Sequence, residues 1–336
     1  MKQTIALIGA GSWGTALAVL LANKGFTVNL WTRRPELASA IKKERENKTY
    51  LPGVSLPANI KPLSGDLEAA IKNVALVVLS VPSHAVRAVA RQLQPILPPG
   101  MIVLNTAKGL ELDSNKRLSE VLLELGLERV AVLSGPSHAE EVGRGLPATV
   151  VAAAVDQEVA EYVQDIFMCP TLRVYTNPDL IGVELGGALK NIIALATGMA
   201  DGLGLGDNAR AALMTRGIAE IARLGVALGG KLLTFSGLSG IGDLIVTCNS
   251  MHSCNRRAGI QLGQGKTLEE VLAGMGMVVE GVRTTAAARE LSQRLNIKMP
   301  ITEEIYQVLY QKKPVADCVA ALMQRPRTHE VEIGSW

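Results

Sequence analysis

A short apolar strand, Thr4–Ile8, runs into Gly9-Ala10-Gly11-Ser12-Trp13-Gly14, and this hexapeptide opens an apolar stretch of helical period, Ser12–Asn23. A β-branched run, Val28–Trp31, follows. A G-x-G-x-x-G run in this strand–helix–strand setting constrains the fold more than any other feature of the chain. Gly9 admits the tight turn out of the strand, Gly11 lets the backbone approach a pyrophosphate, and Gly14 lets helix and sheet pack closely. The helix N-terminus offers unpaired amides to the phosphates. These glycines are expected to hold a dinucleotide.

The rest of the first half repeats the pattern. Apolar runs at Val74–Ser80, Met101–Asn105, Val130–Ser134 and Thr149–Val155 alternate with helical stretches such as His84–Leu93 and Asn115–Leu125. Strands this uniformly apolar predict a parallel sheet covered on both faces. After about Asn177 the strands stop. Helical periods take over at Leu180–Met199, Asn208–Leu228, Thr267–Leu272, Val282–Leu295, Ile301–Tyr310 and Val315–Met323. A chain of 336 residues therefore divides into a Rossmann-like α/β domain over 1–180 and an all-helical domain over 181–336.

The end of the second strand bears on which dinucleotide binds. A carboxylate there would hold a ribose 2′-hydroxyl, but the residues are Leu30-Trp31-Thr32-Arg33-Arg34. Two arginines can fork onto a 2′-phosphate. The expectation is that NADP(H) is preferred, with NAD(H) possible.

Chemistry-bearing residues cluster in four later segments. Lys108 sits where the strand ending at Asn105 gives way to a loop; it reads either as a cation facing a ligand or as an exposed lysine. Ser137 follows Gly135-Pro136 and, with Glu140 three residues on, reads as a helix cap. His138 beside it reads as structural rather than as a general base. Lys190 lies with Gly187, Asn191 and Ala194 on one face of an otherwise apolar helix. A lysine so placed either snorkels to solvent or is held by an anion for proton transfer to a carbonyl oxygen under reduction. Asp243 and Thr247, four residues apart after a glycine-rich turn, share a helical face; Asp243 reads as a partner for a catalytic lysine or as a cap. Cys248, His252 and Cys254 match no zinc spacing, and no metal is expected.

Composition excludes several classes. Net charge is +3, from 34 Lys and Arg against 31 Asp and Glu, too balanced to imply a polyanion. Basic pairs are short and lack interleaved aromatics, so no nucleic-acid partner is expected. The N-terminus superficially resembles a signal peptide, but the spaced glycines read as strand and helix. The most apolar later stretch carries Glu184 and Lys190, so no stable membrane insertion is expected. Four cysteines without a C-x-x-C pair point to a reducing compartment, and the cytoplasm is the expected location.

The segments GAGSWGTALA, NTAKGL, LSGPSHAEE, ELGGALKNIIALATGMADGLGLGDN, GLSGIGDLIVTC and VVEG occur in order along nearly the whole chain. Together they resemble the bacterial NAD(P)-dependent glycerol-3-phosphate dehydrogenases. The resemblance implies a Rossmann-like domain joined to a helical domain of the 6-phosphogluconate-dehydrogenase type. It implies reversible reduction of dihydroxyacetone phosphate to sn-glycerol 3-phosphate, supplying phospholipid synthesis, by a homodimer. It gives Lys190 the role of catalytic proton carrier, with Asp243, Thr247 and Lys108 in the active site. Ser12, Trp13, Arg33, Arg34, Lys108, Ala139, Val278 and Glu280 match its cofactor positions. Gly135, Ser137, Ser253 and Asn255, with Lys108, Lys190 and Asp243, match its substrate positions. A related β-hydroxyacid or ketopantoate-type dehydrogenase is the alternative, against which the LSGIGDLIVTC block speaks.

One position departs from the family pattern. Where the pattern has Ser-Arg-Asn-Arg-Arg, this chain has Ser253-Cys254-Asn255-Arg256-Arg257. The resemblance assigns the missing arginine to the substrate phosphate and the cofactor. A neutral thiol cannot replace a guanidinium, so weakened phosphate binding is expected, with Arg256 pointing elsewhere on its helix.

Overall fold

The computed structural model describes residues 3–327, 329 and 330. They form two compact units. One takes the chain up to Ala107 together with Leu118–Leu180, and the other takes Lys108–Arg117 together with the chain from Ile181 onward. The ten-residue excursion after Ala107 groups with the helical unit, which a single boundary near residue 180 does not anticipate.

In the first unit the strands are β1 (Thr4–Ile8), β2 (Thr27–Thr32), β3 (Glu46–Asn47), β4 (Leu51–Ser55), β5 (Ile60–Ser64), β6 (Leu76–Leu79), β7 (Val103–Asn105), β8 (Val130–Ser134), β9 (Ala148–Ala154) and β10 (Leu172–Asn177). Its helices are α1 (Ser12–Asn23), α2 (Pro35–Glu44), α3 (Leu67–Ile71), α4 (Val86–Leu93), α5 (Leu118–Glu124), α6 (Ala139–Gly143) and α7 (Gln157–Phe167). Eight strands form one sheet in the order β10-β9-β8-β7-β6-β1-β2-β5, while β3 and β4 make a separate ribbon.

Strand alternation explains why the sheet needs helices on both faces. Ile5 and Leu7 of β1 point into one core with Leu17, Leu21 and Phe167; Ala6 and Ile8 point into another with Ile71, Val86 and Leu122. The sheet is parallel except where β9 runs antiparallel to β8. The connection between them holds only the short α6, which returns the chain beside its starting strand instead of crossing over the sheet. β5 and β10, not recognised as strands in the sequence, close the two edges. Pro62 sits in β5, where an edge tolerates the missing amide.

The helical unit comprises α8 (Leu180–Gly202), α9 (Gly206–Ala227), α10 (Leu232–Phe235), a π-turn at Leu238–Gly242 running into α11 (Asp243–Asn249), α12 (Cys254–Gly263), α13 (Leu268–Gly274), α14 (Glu280–Arg294), α15 (Pro300–Gln311) and α16 (Val315–Met323). α8 is the central rod. Leu185, Leu189, Ile192, Ile193 and Leu195 are all at most 1% exposed, so α8 is apolar on every side because it is buried on every side. Its length and composition would suit a membrane span, but 94% of its most apolar window is buried.

α12 meets α8 backbone to backbone. A Cβ on Gly198 would lie 2.2 Å from the Arg256 carbonyl oxygen, and one on Gly259 equally close to that of Leu195. Two helices approach this closely only through glycine, which also leaves α12 without the apolar stripe that would reveal it in the sequence.

Candidate active site

In the first unit, Gly9 has a φ of +118°, and a Cβ there would sit 2.2 Å from the Ser80 carbonyl oxygen. A Cβ on Gly14 would sit 2.0 Å from the Gly9 carbonyl oxygen. At Gly11 a Cβ would meet nothing within 4 Å, so this stretch of backbone faces open space. No side chain caps α1, and its first turn holds no acidic residue. The Trp13 indole N–H is buried there without a partner. An uncapped helix end beside an open glycine and an unused donor fits a dinucleotide pyrophosphate.

The surrounding loop is tied down by residues the sequence did not single out. Ser12 Oγ donates to the Tyr50 carbonyl at 2.6 Å. Asn47 Nδ2 donates to the Ala10 carbonyl at 2.9 Å and to Thr15 Oγ1 at 2.8 Å. Both residues lie in or beside the β3–β4 ribbon, which has no hydrophobic periodicity to announce it. Beyond β2, Arg33 is exposed, whereas the Arg34 guanidinium lies over the Tyr50 ring at 5.2 Å and its Nε is 3.9 Å from Glu36. Gly135, with φ of +127°, lets the loop after β8 pack on the Val150 backbone. Ser137 does not cap α6: its Oγ donates to the Gly135 carbonyl at 2.9 Å, tightening the loop, and His138 takes the cap position without bonding the helix amides through its side chain. Ala139 starts α6 and is buried.

The helical unit holds the charged centre. Lys190 Nζ donates to Asp243 Oδ1 at 2.6 Å and to Thr247 Oγ1 at 2.6 Å. Thr247 Oγ1 in turn donates to the Asp243 main-chain carbonyl, one turn back on α11. Lys108 Nζ donates to the other carboxylate oxygen, Oδ2, at 2.8 Å. One buried carboxylate therefore holds two lysines, and it forms no cap: Gly242 occupies that position. Gly186 makes the arrangement possible, since a Cβ there would lie 2.6 Å from the Ser239 carbonyl and push away the turn that carries Asp243.

The electrostatics follow from burial. Lys190 is 5% exposed, and desolvation lowers its ammonium to about 8; Asp243 opposes that fall and Lys108 adds to it. Burial alone would raise the Asp243 carboxyl, but the two lysines together outweigh it and hold the carboxyl below its ordinary value. Cys248, one residue beyond Thr247, is pushed up to about 11 by burial and stays a thiol.

The other sequence candidates of the helical unit lie at the starts of α12 and α14. Ser253 caps α12 through its Oγ, which accepts from the Arg256 amide. Asn255 is buried; its Nδ2 donates to Asn191 Oδ1 at 2.9 Å, and its Oδ1 accepts from the Gly281 amide at 2.9 Å. Glu280 is the first residue of α14, and Val278, just before it, is exposed. Cys254 Sγ accepts from Arg257 at 3.2 Å and lies 3.7 Å from the Met277 sulfur. Arg256 is directed away, its Nε and Nη2 both bonded to Asp201 Oδ2 at 2.9 and 2.7 Å.

Residues 4–160 match the model of the NAD-dependent glycerol-3-phosphate dehydrogenase N-terminus, and residues 179–320 match that of the same family's C-terminus. The chain belongs to this family.

Among the glycerol-3-phosphate dehydrogenases, a curated relative from Moorella thermoacetica, named glycerol-3-phosphate dehydrogenase [NAD(P)+], is 77% identical over the full length of both chains. One of the same name from Pelotomaculum thermopropionicum is 58% identical, covering 99% of this chain and 96% of its own. The solved structure of glycerol-3-phosphate dehydrogenase from Coxiella burnetii superposes with a TM-score of 0.93 at 39% identity, covering 96% of this chain and 99% of that one. The match of both family models, one to each half, sets aside the ketopantoate-type alternative.

Proposed function

We propose that this chain catalyses the reversible NAD(P)H-dependent reduction of dihydroxyacetone phosphate to sn-glycerol 3-phosphate. The observation that carries the reading is the buried Lys190–Asp243–Thr247 cluster in a member of the glycerol-3-phosphate dehydrogenase family. When bound, the nicotinamide supplies or accepts the hydride.

The chain's residues manage the proton. Lysine has three N–H donors. Asp243 and Thr247 take two of those on Lys190, which leaves the third for a carbonyl oxygen. As that oxygen gains negative charge during reduction, the Lys190 ammonium stabilises it and delivers a proton. In the oxidation direction the neutral amine accepts the proton from the alcohol. An amine at about 8 exists in both forms near neutral pH, as a reversible reaction requires. Asp243 keeps the ammonium populated despite burial, and Thr247 fixes its direction. Lys108 presents a second positive charge beside the first, suited to the anionic substrate. Ser253 and Asn255 are assigned to substrate contact, and Val278 and Glu280 to the cofactor, by their match to the family positions.

In the first unit, Gly9, Gly11 and Gly14 shape the phosphate turn, Ser12 and Trp13 line its helix end, and Ala139 adjoins it. Gly135 and Ser137, in the loop after β8, are assigned to substrate contact by their match to the family positions. Arg33 is the guanidinium available for a 2′-phosphate, supporting a preference for NADPH over NADH, while Arg34 is engaged with Tyr50 and Glu36. The enzyme is inferred to work in the cytoplasm as a homodimer and to feed glycerophospholipid synthesis; its four free cysteines suit a reducing compartment.

The test is NADPH oxidation with dihydroxyacetone phosphate beside unphosphorylated dihydroxyacetone. Turnover that requires the phosphate is expected. Confirmed NADPH binding without turnover of the phosphorylated ketone would overturn the reading.

A further inference from the structure

The segment Lys108–Arg117 leaves the sheet after β7 and returns at α5, yet it groups with the helical unit. It is a closed excursion. Leu110 and Arg117 pair as an antiparallel bridge, the Glu111 amide donates to the Lys116 carbonyl at 3.0 Å, and the Asn115 amide donates to the Glu111 carbonyl at 2.8 Å. Asn115 takes the left-handed conformation that turns the chain back, with φ of +56°. Ser114 Oγ bonds Glu111 inside the turn. Leu110 is 2% exposed and belongs to the same core as Leu185 and Leu189 of α8.

Two charged contacts pin the ends of this excursion to the helical unit. At its start, Lys108 reaches Asp243. At its end, Arg117 Nη1 donates to Glu184 Oε2 at 2.7 Å. The side chains of Arg117 and Glu184 are 14% and 6% exposed, so this is a nearly buried ion pair and not a surface one. Glu184 lies on α8, the helix that carries Lys190. The Leu110–Arg117 bridge ties the two ends of the excursion together, so holding Arg117 restricts where Lys108 can sit.

The geometry points to Glu184 and Arg117 as positioning residues for catalysis: their ion pair staples the Lys108 excursion to α8 and thereby holds the Lys108 ammonium on Asp243. This inference rests on the proposed roles of Lys190, Asp243 and Lys108. Neither member of the pair is assigned a contact with the reacting atoms. They act through Lys108, and so on the field around Lys190. The groups facing Lys190 are Asp243 and Thr247, with the charge of Lys108 and the thiol of Cys248 nearby. Loosening Lys108 removes the positive neighbour that helps to lower the Lys190 ammonium, so that group should titrate at higher pH.

The test is a double-mutant cycle on the full-length enzyme, comparing Glu184→Gln, Lys108→Ala and the two combined. A Glu184→Gln/Arg117→Gln variant joins them. It removes both charges of the pair at once and keeps the test available should Glu184→Gln fail to fold. Expected for the staple variants is a fall in kcat/KM of about tenfold or more, with the high-pH limb of reduction displaced toward higher pH, as in Lys108→Ala. Adding Lys108→Ala should then cost little further, because the staple has no lysine left to position. Additive losses with an unmoved pH limb would overturn the proposal and leave the pair a purely structural role. If Lys108→Ala itself leaves both kcat/KM and the pH limb unchanged, the assigned role of Lys108 fails first, and the staple falls with it.

Discussion

Asp243 binds Lys190 through one carboxylate oxygen and Lys108 through the other, at 2.6 and 2.8 Å, so a single buried anion holds two ammonium groups contributed by distant parts of the chain. The cluster keeps one net positive charge. A buried lysine pair without that carboxylate would shed a proton to escape the repulsion. With it, both can stay charged beside an anionic substrate.

Asp243→Asn removes the opposite charge that most strongly supports the Lys190 ammonium. The lysine then falls below its value of about 8. Reduction uses the ammonium, so its high-pH limb moves to lower pH, and the maximal rate drops about tenfold or more. A pH profile of kcat in the reduction direction checks both effects.

Arg33→Ala should weaken NADPH binding by roughly 10–100-fold, the worth of a charge-assisted pair to the 2′-phosphate, and leave NADH binding nearly unchanged. Arg34→Ala should do less to this selectivity, because its guanidinium is already committed to Tyr50 and Glu36. Titration of each variant with both nucleotides decides this.

Cys254→Arg should lower the Michaelis constant for dihydroxyacetone phosphate by about tenfold. Position 254 opens α12, and Arg256 is held by Asp201, so it cannot supply the missing charge there. Arg257 does contact the thiol, and it is the one neighbouring arginine that can already compensate in part. Steady-state kinetics with varied substrate at saturating NADPH measure the effect.

Glu220 of α9 accepts from the Ile301 and Thr302 amides at the start of α15, at 2.6 and 3.2 Å. Burial pushes its carboxyl up to about 7 despite those bonds and the nearby Arg223. The folded chain thus holds the proton more tightly than the unfolded chain, whose ordinary value is 4.5. Stability from this group is complete below about pH 4.5 and is lost as pH rises through about 7, a change of roughly 3 kcal/mol. Glu220→Gln cannot titrate, so its thermal midpoint should vary less between those pH values than that of the unsubstituted protein.

The glycine spacing after β1, the apolar strands and the Lys190 helix were legible because each is a local pattern with a physical cause. Lys190 stood out as a charge in an apolar run, and Asp243 and Thr247 as a polar pair on one helical turn. What the sequence hid depends on contacts between remote segments. Neither the Arg117–Glu184 pair nor the double use of Asp243 has a local signature. β5 and β10 are edge strands with broken alternation. α12 packs through Gly259 and Gly263 and not through an apolar stripe, so no helical period marks it. The antiparallel β9 looks like any parallel strand, since burial on both faces makes it uniformly apolar.

Lys190 as the proton carrier is tested most directly by the rate of dihydroxyacetone phosphate reduction against pH for the unsubstituted enzyme and Lys190→Met. The rate should decline above about pH 8 in the unsubstituted enzyme. Lys190→Met should bind NADPH normally, turn over roughly 10²–10⁴-fold more slowly and lack that limb. A Lys190→Met enzyme that works within a few-fold of the original, with the same pH limb, would contradict it.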